Sequence, residues 1–220
     1  MPDPQSRRPL GSRDTKWAAR ITRMLAERGA TPNGISQASM VFAAIAGLAF
    51  WALAAVPTGP GAVALLIVAA LGCQMRLLCN LFDGMVAVEA GRGGADGPLW
   101  NEYPDRVSDI LILFGIGLGM GQPALGMAAA CMAVLTAYTR ELGSSIGLAP
   151  DFSGPMAKPH RMALVTVAAV VAIFETVLVP AGTTLTAALW LVALGAAATS
   201  LRRAYRIRAT LIARPPGKGE

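Results

Sequence analysis

Charge is scarce in this chain: 15% of its 220 residues are Asp, Glu, Lys or Arg, whereas 54% are hydrophobic. With a mean hydropathy of +0.52, that scarcity excludes an ordinary soluble domain of this length and points to a polytopic membrane protein. Cysteine is also rare. Cys73, Cys79 and Cys131 lie in apolar segments at no metal-ligand spacing, so they read as small buried hydrophobes. Histidine occurs once, as His160, which reads as a surface residue and not as a metal ligand. The first 34 residues hold no apolar run, so no signal peptide is expected in them. The net charge of +6 would suit nucleic acid. Here, however, the basic residues flank apolar segments, as they do when they set topology and meet anionic headgroups, and no nucleic-acid partner is expected. No internal repeat is visible.

What is abundant is apolar helix-length sequence. Residues 1–13 are rich in Pro and Arg and are expected to be disordered. From 14 to 30 Trp17, Ile21 and Leu25 share one side and Lys16, Arg20, Arg23 and Glu27 lie mostly opposite, the pattern of an interfacial amphipathic helix. Thr31 to Gly34 reads as a turn. Six apolar spans follow, at about 35–56, 62–87, 98–120, 124–141, 161–178 and 185–201, each near the roughly 20 residues that cross a bilayer core. The connections at 57–61, 121–123 and 179–184 contain no Lys or Arg. The N-terminal segment has seven, and the tail after residue 201 has six. Positive residues stay in the cytoplasm. The expected fold is therefore an all-α integral membrane protein with six transmembrane helices, N-in/C-in, in a cell (inner) membrane. Residues 31–210 would form the transmembrane catalytic domain and 211–220 a cytoplasmic tail.

Six of the thirteen acidic residues lie between Asp83 and Asp109. Intramembrane carboxylates cost roughly 2.5–3.5 kcal/mol each by insertion scales, so they tend to mark function. On a helix, Arg76, Asn80, Asp83, Gly84 and Ala87 share one face, and Gly97, Asn101, Asp105, Ser108 and Asp109 share another. A short Gly-rich connection makes the two helices antiparallel neighbours. Oxygens three or four residues apart on each can then converge on one hard cation, Mg²⁺ or Mn²⁺. Gly84 and Ala87 leave room for a nucleotide close to the backbone.

The run Asn80-x-x-Asp83-Gly84-x-x-Ala87-Val88, eight residues, Gly97-x-x-x-Asn101-x-x-x-Asp105 resembles the signature of the CDP-alcohol phosphatidyltransferases, Asp-x-x-Asp-Gly-x-x-Ala-Arg, eight residues, Gly-x-x-x-Asp-x-x-x-Asp. The Thr31-Pro32-Asn33 turn is similar to that family's entry into its first span. Asn80 and Asn101 replace the first and third aspartates, and Val88 replaces the arginine. The site thereby drops from four carboxylates to two, which would balance one divalent ion: either one tightly held metal, or a second recruited only with the substrate diphosphate. Arg92 could supply the missing cation, and Asp109 or Glu102 the missing negative charge.

The resemblance implies transfer of a phosphatidyl or substituted phosphoryl group from a CDP-alcohol, with CDP-diacylglycerol the expected donor, to an acceptor hydroxyl, releasing CMP in phospholipid synthesis. It assigns metal binding to Asn80, Asp83, Asn101 and Asp105, the CDP pocket to Asp83, Gly84, Ala87 and Gly97, and the catalytic base to Asp105. It also implies a homodimer. Arg140, Lys158 and Arg161, across a loop on the same side, suit an acceptor or lipid phosphate, or they are positive residues at helix ends. The alternating glycines from Gly115 to Gly121 read as helix packing, because no strand precedes them. Two other functions stay open: a divergent nucleotide- or lipid-binding homologue without turnover, and an ion-coupled transporter built on Asp83, Asp105 and Arg76.

Overall fold

The computed structural model describes residues 15–89, 96–178 and 182–213. Among these there are seven helices and no strand: α1 (Lys16–Glu27), α2 (Pro32–Ala52), α3 (Gly59–Glu89), α4 (Gly97–Gly119), α5 (Pro123–Ser145), α6 (Lys158–Leu178) and α7 (Thr183–Ile212).

The short α1 lies against the charged end of α3. Ala18 is buried with Leu81 and Phe82, and Ile21 and Leu25 pack beside them. Trp17 meets the Phe82 ring edge-on at 6.1 Å, while Lys16, Arg20, Arg23 and Glu27 face outward. Gly29 ends the helix with φ +78. The Gly29 and Ala30 amides donate back to Ala26 (3.1 Å) and Leu25 (3.0 Å), a closure that needs a left-handed residue. Thr31 to Gly34 is not a free turn. Thr31 caps α2, its Oγ1 accepting from the Gly34 amide at 3.1 Å, and Pro32 takes the first helical position, where its missing N–H costs nothing.

Among the described residues four helices are long and apolar enough to cross a membrane: α2, Gly59–Val88 of α3, Lys158–Thr176 of α6, and α7. Of the other three, α1 has 12 residues and α4 and α5 have 23 each. Charge in the first half of α4 and the small residues of α5 lower their hydropathy. Large apolar side chains lie exposed on the outside, among them Val41, Leu48, Leu71, Val170, Phe174 and Leu194. Helices apolar both inside and outside suit lipid and not water.

One continuous core joins α2 to α7, with Phe50, Leu66, Ile112, Met162, Val165 and Leu189 at its centre. Helix α2 is wedged between α3 and α4 and packs extensively on both. The expected side-by-side pairing of α3 and α4 is thus confined to their charged ends. Glycine decides this. A Cβ on Gly115 would strike the Gly47 backbone, and one on Gly119 the Phe50 carbonyl, so α2 and α4 can approach only because these positions are bare. A Cβ on Gly117 would meet Gly126 of α5 at 2.7 Å. Helix α7 runs to Ile212, well past the apolar run ending near Leu201, and carries Arg203 and Arg206 alongside α5.

Candidate functional site

Helix periodicity lines up Arg76, Asn80 and Asp83 on α3 and Asp105 and Asp109 on α4. The first turn of α6 brings Lys158 and Arg161. These three helix ends meet around Asp105, which is 5% exposed. Asn80 Nδ2 donates to Asp105 Oδ1 at 2.8 Å. Arg76 Nη2 donates to the same oxygen at 3.2 Å and to the Asp105 carbonyl at 3.4 Å. Lys158 pairs with Asp105 Oδ2, and Arg106 stands 3.9 Å from it.

One turn deeper, Asp109 bridges two buried guanidiniums: Arg76 at 3.4 Å and Arg161 at 2.5 Å. Arg161 is 3% exposed. Its Nη1 also donates to Thr136 Oγ1 (3.2 Å) and the Met156 carbonyl (3.0 Å). Arg76 thus pairs across to α4, with both Asp105 and Asp109. Among the described residues, four buried side-chain atoms in and around this region lack a hydrogen-bond partner: Arg76 Nε and Nη1, Arg161 Nε and Ser108 Oγ.

Asp83 is anchored separately. Its Oδ2 accepts from Ser36 Oγ at 2.8 Å and its Oδ1 from the Gly84 amide at 2.5 Å. Ser36, on the first turn of α2, gave no sequence signal. Asn101 lies one turn before Asp105 but is exposed, with its amide on Glu102 Oε1 at 3.2 Å. Gly84 and Ala87 are half-buried beside Asp83. A Cβ on Gly97 would meet nothing within 4 Å, so the space beside it is open. Arg92 lies outside the described residues. The two acidic groups expected to replace the lost carboxylates are already matched, Asp109 by Arg76 and Arg161 and Glu102 by Arg106 and Arg140.

The donor set fits a hard divalent cation in kind: two carboxylates and one amide carbonyl, from Asp83, Asp105 and Asn80. It is sparse. Among the described residues no three His, Cys, Asp or Glu side chains group so as to hold a metal by themselves. It is also already counter-charged at Asp105.

A second feature lies between α5 and α7. A cavity of about 300 Å³ is lined by Thr139, Arg140, Asp151, Arg203, Arg206 and Ile207, among others. Arg140 stacks over Phe152 at 5.3 Å. Arg203 is buried and spans Ser153 and Thr136, its Nε donating to the Ser153 carbonyl (3.1 Å) and its Nη1 to that of Thr136 (2.6 Å). Partial burial pushes the Asp151 carboxyl up. The Ser153 hydroxyl, the Ser153 amide at 2.8 Å and Arg206 at 3.1 Å together outweigh it and hold Asp151 below the usual carboxylate range. Arg203 and Arg206 had read as tail charges. The usable signal was register: Arg203 continues the buried row Leu189, Val192, Ala196, Thr199 at helical spacing. His160 is exposed, as expected.

No protein-family model matches the chain. Over 184 residues it is 27% identical to a phosphatidylinositol phosphate synthase of Streptomyces avermitilis, covering 80% of this chain and 73% of that protein. Among solved structures it superposes on the Mycobacterium tuberculosis phosphatidylinositol phosphate synthase in complex with manganese and citrate with a TM-score of 0.74, at 22% identity over 92% of this chain and 96% of that one. The CDP-DAG-bound form of that enzyme gives a TM-score of 0.72 at 20% identity, over 88% and 94% of the two chains. These relatives are CDP-alcohol phosphotransferases, enzymes of phospholipid synthesis. The chain has the fold of the phosphatidylinositol phosphate synthases.

Proposed function

We propose that this chain transfers a phosphatidyl or substituted phosphoryl group from a CDP-alcohol, CDP-diacylglycerol foremost, to an acceptor hydroxyl and releases CMP. The observation that carries this is the meeting of α3 and α4 at Asn80 and Asp105, 2.8 Å apart, with Asp83 on the next turn. These residues stand at the signature's spacing, in a fold shared with a solved synthase, one structure of which has CDP-DAG bound.

Asp105 is the base. Arg76 and Asn80 fix its Oδ1, which leaves Oδ2 to take the acceptor proton once Lys158 yields it. The acceptor oxygen then bonds to the lipid-bearing phosphorus, the bond from that phosphorus to the CMP phosphate oxygen breaks, and CMP leaves with the electron pair. Asp83 and Asn80, and Asp105 in turn, would hold Mg²⁺ or Mn²⁺, which when bound neutralises charge on the transferred group and the departing CMP. Asn101, one turn from Asp105, is reserved for the substrate-bound state. Gly84, Ala87 and Gly97 leave space for cytidine. The reading includes six crossing helices, with α4 and α5 added to the four apolar ones, both termini in the cytoplasm and the site at that face of the inner membrane. A homodimer rests on the resemblance alone.

The cavity beside Arg140, Arg203 and Arg206 favours an acceptor that carries its own phosphate, with Lys158 and Arg161 nearby in sequence. The product name of the relatives agrees with a phosphorylated inositol. Purified protein given labelled CDP-diacylglycerol, Mg²⁺ or Mn²⁺ and a panel of inositol phosphate, inositol, glycerol phosphate and serine is expected to release CMP with a phosphorylated polyol. Asp105→Asn is expected to abolish release. A second reading, a homologue that binds nucleotide or lipid without turnover, is favoured by Asn80 and Asn101. Absence of CMP release with every acceptor in the panel would select it.

A further inference from the structure

We propose that Lys158 and Arg76 are resident counter-ions of this site, so that a divalent cation enters only together with the nucleotide diphosphate and displaces Lys158 from Asp105. The inference rests on the reading of the site as a CDP-alcohol site and goes beyond it, to how that site is loaded.

The argument is charge balance. Asp83, Asp105 and Asp109 contribute three negative charges, and Arg76, Lys158 and Arg161 contribute three positive ones, while Arg106, 3.9 Å from Asp105, is matched by its own partner Glu102. Asp105 and Asp109 are 5% and 2% exposed, and Arg76 and Arg161 are 0% and 3% exposed. Charges so buried must be matched locally, because water cannot screen them. The cluster is neutral as it stands. A divalent ion arriving alone would leave two uncompensated charges in a desolvated site and would compete with Lys158 for Asp105 Oδ2. The diphosphate of a CDP-alcohol, esterified at both ends, brings two negative charges and free CDP about three, so ion and diphosphate together leave the site within one charge of neutral. The phosphates then offer the freed Lys158 ammonium a new partner. Aspartates at positions 80 and 101 would have supplied those two charges from the protein and made the diphosphate dispensable for metal entry.

The test is equilibrium Mn²⁺ binding, read by loss of the free-ion EPR signal, on full-length protein in nanodiscs with and without CDP. Asp83→Asn/Asp105→Asn protein serves to subtract complex formation in solution. Wild type is expected to bind Mn²⁺ at least tenfold more tightly with CDP than without. Asn80→Asp/Asn101→Asp and, separately, Lys158→Met are each expected to bind Mn²⁺ without nucleotide at least fivefold more tightly than wild type. Nucleotide-independent binding by wild type as tight as by the Asn80→Asp/Asn101→Asp protein, or no change in Lys158→Met, would overturn the inference while leaving CMP release intact. Coupled binding with no CMP release would instead overturn turnover and keep the inference. Absence of any joint binding of Mn²⁺ and CDP would overturn both.

Discussion

Replacing Asp109 by Asn tests the buried network most directly. Asp109 is 2% exposed and is the carboxylate shared by Arg76 and Arg161, at 3.4 and 2.5 Å. Asn keeps the shape but removes the charge. Arg76 then retains Asp105, but Arg161 is left with two neutral acceptors, Thr136 and the Met156 carbonyl. Removing one partner of a buried pair costs about 3–5 kcal/mol because the other charge stays buried. At about 2–4 °C per kcal/mol for a chain of this size, the melting temperature should fall by about 6–20 °C. Unfolding can be followed with a thiol-reactive fluorophore, since Cys73 and Cys79 are buried; Cys131, which is exposed on α5 and not buried as its apolar segment led one to expect, is first changed to Ser. Asp109→Asn/Arg161→Met removes both charges and should recover at least half the loss, a coupling of about 2 kcal/mol. An Asp109→Asn protein melting within about 2 °C of wild type, or a double variant no more stable than the single, would refute the reasoning.

Three further outcomes are expected. Gly115→Ala pushes a Cβ into the Gly47 backbone; separating α2 from α4 should cost about 2 kcal/mol or more by overpacking, seen as a lower melting temperature, whereas Gly97→Ala, in open space, should be silent. Glu175 accepts from the amides of Thr183 at 2.9 Å and Thr184 at 3.2 Å, so it caps α7 from the end of α6; Glu175→Ala should cost about 1 kcal/mol, and Glu175→Gln less, in the same melting assay. Asp151 has its carboxyl held below the ordinary value of about 3.9. Its contribution is therefore complete above that value and is lost as pH falls through the lower folded one, so stability should not vary between pH 7 and 5 through this group. Asp151→Asn should flatten the acid-side loss, a small effect because the Arg206 partner is largely exposed.

Much of the architecture was legible because helix formation and its interruption are local. Glycine and proline at 57–61 and 121–123 break the apolar runs, and the helix ends fall within a few residues of those breaks. Period 3.6 put Arg76, Asn80 and Asp83 on one stripe and Asp105 and Asp109 on another, and the structure keeps both. The continuation of α7 to Ile212 escaped because the apolar signal stops near Leu201 while the helix does not. Thr31-Pro32-Asn33-Gly34 read as a turn because a helix start and a turn use the same residues.

Which stripe faces which partner belongs to another scale. The sequence by itself determined the helices, their breaks and the residues that share a face, because each depends on neighbours within a turn or two. Only the tertiary structure decided that α2 stands between α3 and α4, that Arg76 turns to Asp105 and Asp109, and that Lys158, 53 residues away, reaches Asp105. Those outcomes follow from bare glycines that let backbones approach and from buried charges that must find opposite charges wherever the packed chain brings them.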